Sequence, residues 1–475
     1  MSKKIIVLFR NDLRLADHPA LWHAANTGVI LPVYIHNDQI QEQDTAQNYW
    51  TYYSLQHLQT TLRSYNIPLI FRKGEVIAEV LQLALETPAD ALYLNERFSQ
   101  SERSEDEQLA NVLQAHNIEV KTFYGDTLFD LTAIHNQQNK PYAIFTSFYK
   151  RCLHEFARKP LGIPATLKAF PMTVSSLVLE QLQLLHGNWY HKFNNYWHPG
   201  EDGAIEQWTL FLESNVFDYK DKRDDLAKEK ISKMSPFIAV GNISIRSLWA
   251  TCQELLEEED NAIFGQQIES FLRQLIWREF SIYQLLHFPT FSTVSLRNNF
   301  QQFNWEPDAR RLEAWKRGQT GYPLVDAGMR ELWETGYMHN RVRMVVASFL
   351  VKHLLQPWQE GYAWFEHTLL DFSEANNAMG WQWVSGTGID SAPYFRIFNP
   401  SLQGEKFDTD GTYIKKWVPE LALLSSKYIH APHTAPAAIL EQAGIILGDN
   451  YPLPMVDHKT ARARALERYD AIKKA

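Results

Sequence analysis

Two side chains spaced four residues apart are suited to binding a flat, redox-active ligand. Asn377 and Trp381 belong to the stretch Asn376–Trp383, and residues at positions i and i+4 of a helix project from the same face. An amide and an indole on that face could together contact one such ligand. Tryptophan is also a frequent core residue, so the stretch is typical of core aromatics, Trp381 and Trp383, beside a capping asparagine as well.

A second candidate helix, beginning near Met338, mixes polar and apolar groups on one face. The stripe at i, i+3, i+4 and i+7 consists of Asn340, Arg343, Met344 and Ala347. A buried arginine requires a carboxylate, because an unpaired interior charge is very costly, and Asp371 is the obvious candidate. The alternative is an exposed Arg343 beside a solvated Asp371.

A third candidate helix combines an amide, an indole and a cation. Gln274, Trp277 and Arg278 share a face at i, i+3 and i+4. A pocket for flipped-out bases needs this mixture, because bases stack on aromatic surfaces and their edges form hydrogen bonds. The alternative is an amphipathic core helix anchored by Trp277 and Phe280.

The elements that position these residues differ between the two ends of the chain. The first 130 residues alternate helix-like segments with short apolar runs, which are Ile5 to Phe9, Val29 to Ile35, Ile67 to Phe71, Ala91 to Leu94 and Val120 to Tyr124. This alternation predicts βαβ units in a doubly wound parallel sheet. Asp17 is the expected N-cap of the first helix, with Pro19 in its first turn. No GxGxxG motif follows the first strand, so a dinucleotide-binding interpretation has no support.

The remainder of the chain is predicted to be a connector followed by a larger helical domain. Residues 131–202 contain loops rich in Asn, Gln, Pro and Gly, and from residue 203 the pattern is helical almost to the end. We therefore predict an α/β domain over 1–130, a connector over 131–202, and an all-α domain over 203–475.

Composition restricts the function further. The chain has 475 residues, 45% of them hydrophobic, and a net charge of −9. A protein that coats nucleic acid needs excess Lys and Arg, so DNA would bind to a local basic patch. Cys152 and Cys252 do not have the spacing of a metal site. We expect both side chains to be buried and the protein to be in a reducing compartment. No metal site, P-loop or HExxH motif is present, and no leader or membrane span is indicated, so we expect a cytoplasmic protein.

Four motifs together resemble the DNA photolyase/cryptochrome family. They are Leu8–Asp17, Met338–Met344, Asn376–Trp383 and Ala392–Pro400. The resemblance extends over nearly the whole chain and is densest from Trp277 to Glu420. It implies that the helical domain binds FAD and the damaged DNA, and that the α/β domain is the antenna domain. The sequence is similar to bacterial cyclobutane pyrimidine dimer photolyases of class I or class III.

The resemblance also implies roles for individual residues. An electron-transfer chain would consist of Trp305, Trp358 and Trp381, and the other catalytic residues would be Asn377 and Gln274. FAD would be bound by Tyr219, Ser232, Lys233, Met234, Ser235, Arg278, Asn340, Arg343, Asp371, Ser373 and Asn377. DNA would be bound by Gln274, Trp277, Arg223, Asn340, Arg341, Met344, Trp383 and Arg396.

The implied reaction is light-driven repair of DNA. Reduced FAD would donate an electron to a cyclobutane pyrimidine dimer, the dimer would split into monomers, and the electron would return, which makes the enzyme a carbon–carbon lyase. Gln274 departs from the glutamate that these enzymes carry, and Ile231 and Phe271 stand where the family has Thr and Trp. A cryptochrome-type blue-light photoreceptor and a (6-4) photolyase are therefore the alternatives.

The resemblance leaves the antenna pigment open. Ser292 and Thr293 replace the Cys and Lys that hold a folate in some relatives, whereas Glu102 is retained. We expect the folate 5,10-methenyltetrahydrofolate, with a deazaflavin or no antenna as alternatives. The expected partner is DNA carrying pyrimidine dimers, and the expected oligomeric state is a monomer.

Overall fold

The chain divides into two compact units, one of which is made of two separate segments of sequence. In the computed structural model, residues 2–37, 44–258 and 261–473 are described. The first unit comprises Met1–Phe217 and Ser232–Pro289, and the second comprises Asp218–Ile231 and Thr290–Ala475. The predicted domain bounds remain a prediction.

A parallel sheet of five strands forms the centre of the first unit. The strands are β1 Lys3–Phe9, β2 Gly28–His36, β3 Ile70–Lys73, β4 Ala91–Asn95 and β5 Glu119–Phe123, in the order β3-β2-β1-β4-β5. β1 is central and pairs with β2 on one side and β4 on the other, and its residues Ile5 to Phe9 are fully buried. Continuous apolar runs of this kind are typical of strands covered by helices on both faces. The predicted doubly wound parallel sheet is confirmed.

Nine α-helices of the described residues belong to the first unit. They are α1 Pro19–Thr27, α2 Ala46–Ser64, α3 Val76–Glu86, α4 Gln100–Ala115, α5 Phe145–Cys152, α6 Glu201–Leu210, and, after a short helix α7 that belongs to the second unit, α8 Ser235–Ala239, α9 Ile245–Glu258 and α10 Ala262–His287, with a π-helical turn at Phe211–Asn215. Short 3-10 turns lie at Leu179–Leu182 and Trp189–Asn195. Cys152 and Cys252 are buried, as predicted.

The expected N-cap of α1 was wrong. His18, not Asp17, caps this helix, and its Nδ1 accepts a hydrogen bond from the amide of Leu21 at 3.1 Å. The carboxylate of Asp17 instead binds the guanidinium of Arg246, with two contacts of 2.8 Å. A buried arginine requires such a partner more strongly than a helix end requires a cap, because water and other side chains can also satisfy a cap.

The second unit is helical. Its helices are α7 Tyr219–Lys222, α11 Ala309–Lys316, α12 Pro323–Thr335, α13 Asn340–Ser348, α14 Trp358–Thr368, α15 Glu374–Ser385, α16 Pro400–Phe407, α17 Thr412–Trp417, α18 Ser426–Ile429, α19 Ala437–Gln442 and α20 His458–Lys473. Single 3-10 turns lie at Asn298–Gln302, Pro419–Leu421 and Pro432–Thr434, and a further turn, Val216–Asp218, spans the sequence boundary between the units. A π-helical segment, Phe349–His353, continues α13, and such segments occur frequently at functional sites. The predicted all-α domain is confirmed as a fold class.

Candidate functional site

The turn before α8 in the first unit holds four predicted cofactor residues. Lys233 has a φ of 54°, in the left-handed region, and the amide of Met234 donates to the hydroxyl of Ser232 at 3.4 Å. Gln207 donates to the carbonyl of Ser232 at 2.9 Å, which fixes the turn from another helix. Ser235 then begins α8. The hydroxyls of Ser232 and Ser235 and the backbone amides of this turn are suited to an anion.

Helix α10 carries Gln274 and Trp277 half-buried in the same unit. The indole of Trp277 stacks on the ring of Phe145, with ring centroids 3.5 Å apart and an interplanar angle of 6°. The guanidinium of Arg273 lies 5.2 Å from the centroid of the same phenyl ring. Gln274 donates to the carbonyl of Ser270, one turn earlier in its own helix, at 3.0 Å. Trp277 is therefore held flat against a second aromatic ring.

Arg278, the third residue of this predicted face, is paired with an aspartate. Its guanidinium donates to the carboxylate of Asp126 at 2.6 Å and to the carbonyl of Asp126 at 2.8 Å. Next to it, Glu279 is completely buried and accepts a hydrogen bond from the amide of Leu128 at 2.9 Å. Burial raises the pKa of Glu279 to about 8, although Arg278 and the amide of Leu128 act in the opposite direction. Gln274, Trp277 and Arg278 thus each have a different protein partner.

The second unit contains the predicted pair of Arg343 and Asp371. Their Nη2 and Oδ2 atoms are 2.8 Å apart, and the side chain of Asp371 is only 3% exposed. The Nε of Arg343 donates to the carbonyl of Met338 at 2.7 Å, and its guanidinium lies 5.1 Å from the ring centroid of Tyr337. The contact between these two residues is confirmed, and it fixes the guanidinium at the start of α13.

Helix α15 presents Asn377 and Trp381 on one face. Ser373 caps the helix by accepting a hydrogen bond from the amide of Asn376 at 3.5 Å. Asn377 is buried, and its amide nitrogen donates to the carbonyl of Tyr362 in α14 at 3.1 Å. This donation fixes the orientation of the side chain, because it assigns the nitrogen to Tyr362 and leaves the oxygen as the acceptor.

The three predicted relay tryptophans lie in the second unit. Trp358 and Trp381 are buried in its main hydrophobic cluster, and Trp305 is partly buried and packs against the same cluster. The indole of Trp381 packs so closely on α14 that a Cβ on Gly361 would lie 2.0 Å from its Cη2. Trp358 donates to the hydroxyl of Ser295 at 3.1 Å. Two of the three indole rings, those of Trp358 and Trp381, are thus buried, and that of Trp305 is partly exposed.

His339 joins two of the predicted DNA-binding arginines. Its Nδ1 accepts from the amide of Arg341 at 3.1 Å, and its Nε2 lies 2.7 Å from the carbonyl of Arg223. A carbonyl can only accept, so Nε2 carries the proton and the ring is neutral. Burial lowers the pKa of His339 to about 4, which is consistent with this tautomer. Arg341 also pairs with Asp224 at 2.5 Å.

The other predicted residues of the second unit differ in exposure. Tyr219 is buried, and its hydroxyl accepts from Arg223 at 3.4 Å. Met344 and Trp383 are half-buried, whereas Asn340 and Arg396 are exposed. Asn340 is the first residue of α13, so it stands where the backbone amides of the helix lack partners within the helix.

Several contact residues were not predicted. Phe145 lies 132 residues before Trp277, and Asp126 lies 152 residues before Arg278, which explains why no local pattern links them. Asp224 could have been expected, since an acidic residue next to Arg223 is a natural partner for a second arginine. His339 caps α13, but histidine is not among the residues that usually mark a helix start, so the sequence carried no signal for this role.

Two family models match the chain. The model described as DNA photolyase covers residues 5–169, and the model described as FAD binding domain of DNA photolyase covers residues 271–471. The chain is 40% identical to the deoxyribodipyrimidine photo-lyase of Agrobacterium fabrum, in an alignment that covers 99% of this chain and 98% of the relative. The chain belongs to the DNA photolyase family.

Both cryptochromes and photolyases resemble the chain. It is 35% identical to Cryptochrome-2 of Arabidopsis thaliana, in an alignment that covers 98% of this chain and 79% of the relative. Its structure matches that of a bacterial class III photolyase from Agrobacterium tumefaciens with a TM-score of 0.96 and 39% identity, covering 100% of this chain and 98% of the other.

The photolyase FAD-binding domain includes Arg278, Arg343, Asp371 and Asn377. A flavin ring has alternating hydrogen-bond donors and acceptors at its edge, and the guanidinium, carboxylate and amide of the last three residues supply both kinds of partner. The residues present therefore fit FAD. Of the helices in the described part of the chain, none has the length and apolar content to cross a membrane.

Proposed function

We propose that the chain is a deoxyribodipyrimidine photo-lyase that repairs cyclobutane pyrimidine dimers in DNA under light. The observation that carries this proposal is the similarity over almost the full length to a photo-lyase of that name. The buried pair of Arg343 and Asp371, together with the oriented amide of Asn377, supports it from the structure.

FAD would be bound by residues of the α8 turn, of helices α7, α10, α13 and α15, and of the segment that leads into α15. These are Tyr219, Ser232, Lys233, Met234, Ser235, Arg278, Asn340, Arg343, Asp371, Ser373 and Asn377. When bound and reduced, FAD supplies the light-excited electron that splits the dimer, and the protein supplies orientation, exclusion of water and electrostatics. The side-chain oxygen of Asn377 would accept a hydrogen bond from FAD, since the side-chain nitrogen already donates to the carbonyl of Tyr362. Arg343 would keep its charge in place because Asp371 holds it from one side.

The tryptophans would carry electrons towards the cofactor. Trp381 and Trp358 are buried, and Trp305 has access to solvent, which is the order that a relay from the surface requires. An indole serves this purpose because its aromatic system loses an electron more readily than aliphatic or phenyl side chains do. Replacing Trp305 would then slow photoreduction of the cofactor without changing its binding.

DNA would be bound by residues with stacking surface, amides and positive charge. These are Gln274, Trp277, Arg223, Asn340, Arg341, Met344, Trp383 and Arg396. The arginines would contact phosphates, which supplies the local patch that a net charge of −9 requires. Gln274 would form hydrogen bonds with a pyrimidine edge. Further parts of this proposal are a monomeric, cytoplasmic protein, a folate antenna, and the domain bounds 1–130, 131–202 and 203–475.

Repair of a defined lesion tests the proposal. Purified protein with reduced FAD would be illuminated with blue light on an oligonucleotide carrying one cyclobutane thymine dimer, and restored thymine would be measured by chromatography. Parallel reactions would contain a (6-4) lesion, or the dimer in the dark. Light-dependent turnover of the dimer alone is expected. Turnover of the (6-4) lesion alone, or of neither lesion with FAD bound and photoreducible, would contradict the proposal.

A cryptochrome-type photoreceptor is the second candidate. Gln274, in place of the expected glutamate, and the 35% identity to Cryptochrome-2 favour it. Gln274→Glu separates the two functions. If the protein is a photolyase, we expect this variant to repair the dimer at least as fast as the original chain. A photoreceptor would remain inactive on DNA in both forms.

A further inference from the structure

A lysine is buried in the second unit beneath one of the predicted DNA-binding residues. Lys352 lies in the π-helical segment Phe349–His353 and is only 1% exposed. Lysine is among the residues that are least often fully buried, because removing an ammonium group from water is costly. Its position therefore calls for a specific interaction.

The ammonium of Lys352 contacts the segment Tyr394–Arg396 at two points. Its Nζ donates to the carbonyl of Arg396 at 2.9 Å and lies 5.2 Å from the ring centroid of Tyr394. Tyr394 is itself completely buried and stacks on Tyr469 of α20, with ring centroids 4.5 Å apart. The inner side of the segment is therefore fixed by Lys352 and the tyrosines.

The outer side of the same segment is exposed. Phe395 is 61% exposed, and the side chain of Arg396 is also in contact with solvent. A carbonyl held at one place limits the direction in which the side chain of the same residue leaves the backbone. The lysine thus acts on Arg396 through the main chain, while the guanidinium stays available to a ligand.

We propose that Lys352 is a positioning residue that holds the segment Tyr394–Arg396 so that the guanidinium of Arg396 meets a phosphate of the damaged DNA strand. This inference rests on the proposed function. It deepens that function, because it adds a buried cation that touches no DNA and yet sets the geometry of a DNA contact.

The position of Lys352 also couples DNA binding to protons. Burial, and then the charge of Arg396, lowers the pKa of Lys352 to about 7. A phosphate bound at Arg396 favours the protonated lysine, so binding takes up a proton and the affinity falls as pH rises through this range. Among the described residues, the titratable or charged groups that interact with Lys352 are Tyr394, Arg396 and His353. Behind them, on α20, His458 and Arg464 contact His353, and Tyr469 stacks on Tyr394.

A double-mutant cycle tests the proposal. Affinity for a labelled duplex with one thymine dimer would be measured by fluorescence anisotropy at fixed ionic strength for Lys352→Met, Arg396→Ala and the double variant. Each single change is expected to weaken binding by about tenfold, and the double variant is expected to equal Arg396→Ala, because both act through one contact. Lys459→Met, which removes an exposed lysine from α20, is the matched charge control and should change affinity by less than about twofold. FAD absorbance and the unfolding midpoint report folding.

The outcomes separate this inference from the function it rests on. Additive losses in the double variant, or unchanged affinity in Lys352→Met with FAD bound, would overturn the inference while dimer repair by the original chain preserves the function. Unchanged affinity in Arg396→Ala would also overturn it.

If Lys352→Met does not fold, the pH profile of the original chain decides. The affinity is expected to fall by up to about tenfold from pH 6 to pH 8.5, for a pKa shift of about one unit. The profile of Arg396→Ala should be flat, and equal slopes in the two proteins would reject the proposal.

Discussion

Arg278 in the first unit and Arg343 in the second are similar residues in different surroundings. Both are predicted to bind the flavin, and each has an aspartate as its partner, at 2.6 Å and 2.8 Å. The side chains of the arginines are 14% and 22% exposed, but those of their partners differ more, since Asp126 is 32% exposed and Asp371 only 3%. Water can therefore reach Asp126 if Arg278 is removed, whereas Asp371 is almost closed to water. The burial of the partner, not the length of the contact, decides how strongly an arginine is required.

The largest expected effect is that of removing Arg343. Arg343→Leu leaves Asp371 buried without its cation, and we expect the free energy of unfolding to fall by about 3–5 kcal/mol, with loss of bound FAD. Urea denaturation and the flavin absorbance per protein measure both. Arg278→Leu is the matched control and should cost about 1 kcal/mol. Equal losses in the two variants would contradict the comparison.

Glu279 provides the next test, because it adds a neutral carboxyl group beside Arg278. Its pKa is raised to about 8, so the folded chain retains a proton that the unfolded chain releases above about pH 4.5. The free energy of unfolding should therefore fall as pH rises from 4.5 to 8. Glu279→Gln removes this titration. We expect the free energy of unfolding of this variant to fall by about 1–3 kcal/mol less than that of the original chain over the same pH range. If the free energy of unfolding depends on pH in the same way in both proteins, Glu279 is ionised in the folded chain and the prediction is wrong.

His339 gives the opposite pH dependence in the second unit. Its pKa is lowered to about 4, so the unfolded chain binds a proton between pH 4 and 6.5 that the folded chain does not. Stability from this residue is present above pH 6.5 and is lost on acidification towards pH 4. His339→Asn keeps a capping acceptor and should reduce that loss by about 2 kcal/mol. Thermal unfolding at pH 4.5 and pH 6.5 measures it, and the same loss in both proteins would assign the acid sensitivity to other groups.

The smallest expected effect is that of Asp126→Asn. An amide oxygen can still accept from Arg278, and the site reaches water, so the cost should be about 1 kcal/mol or less. Its counterpart Asp371→Asn should cost several times more, since it leaves the charge of Arg343 with a neutral partner in a buried site. Urea denaturation at pH 7 measures the free energy of unfolding of both variants. A larger loss in Asp126→Asn than in Asp371→Asn would contradict the comparison.

The sequence predicts contacts well where pattern and physical necessity coincide. Apolar runs were sufficient to locate all five strands, because such runs favour burial, although β5 is only partly buried. The pairing of Arg343 with Asp371 was predicted for the same reason, since a cation on a core-facing stripe needs a carboxylate and one was available 28 residues later.

Contacts across long stretches of sequence were not predictable in this way. Asp126 and Arg278 are 152 residues apart, and many acidic residues could have served equally well. Asp17 carries the signal of a helix cap but binds Arg246, 229 residues away, because tertiary contacts outcompete a local preference. The stack of Phe145 on Trp277 likewise depends on how the chain returns to α10 and not on any local spacing.

The division of the first unit into two segments has a consequence for how the protein is made. Glu279 and Arg278 in α10 bind the backbone of Leu128 and Asp126, yet they are synthesised about 150 residues later. Domains generally fold as units while they emerge from the ribosome. The parallel sheet can therefore form early in translation, but the loop that follows its last strand must wait for α10. Until residue 289 has left the exit tunnel, the nascent chain holds backbone groups without their final partners, and it is a natural client for chaperones during that interval.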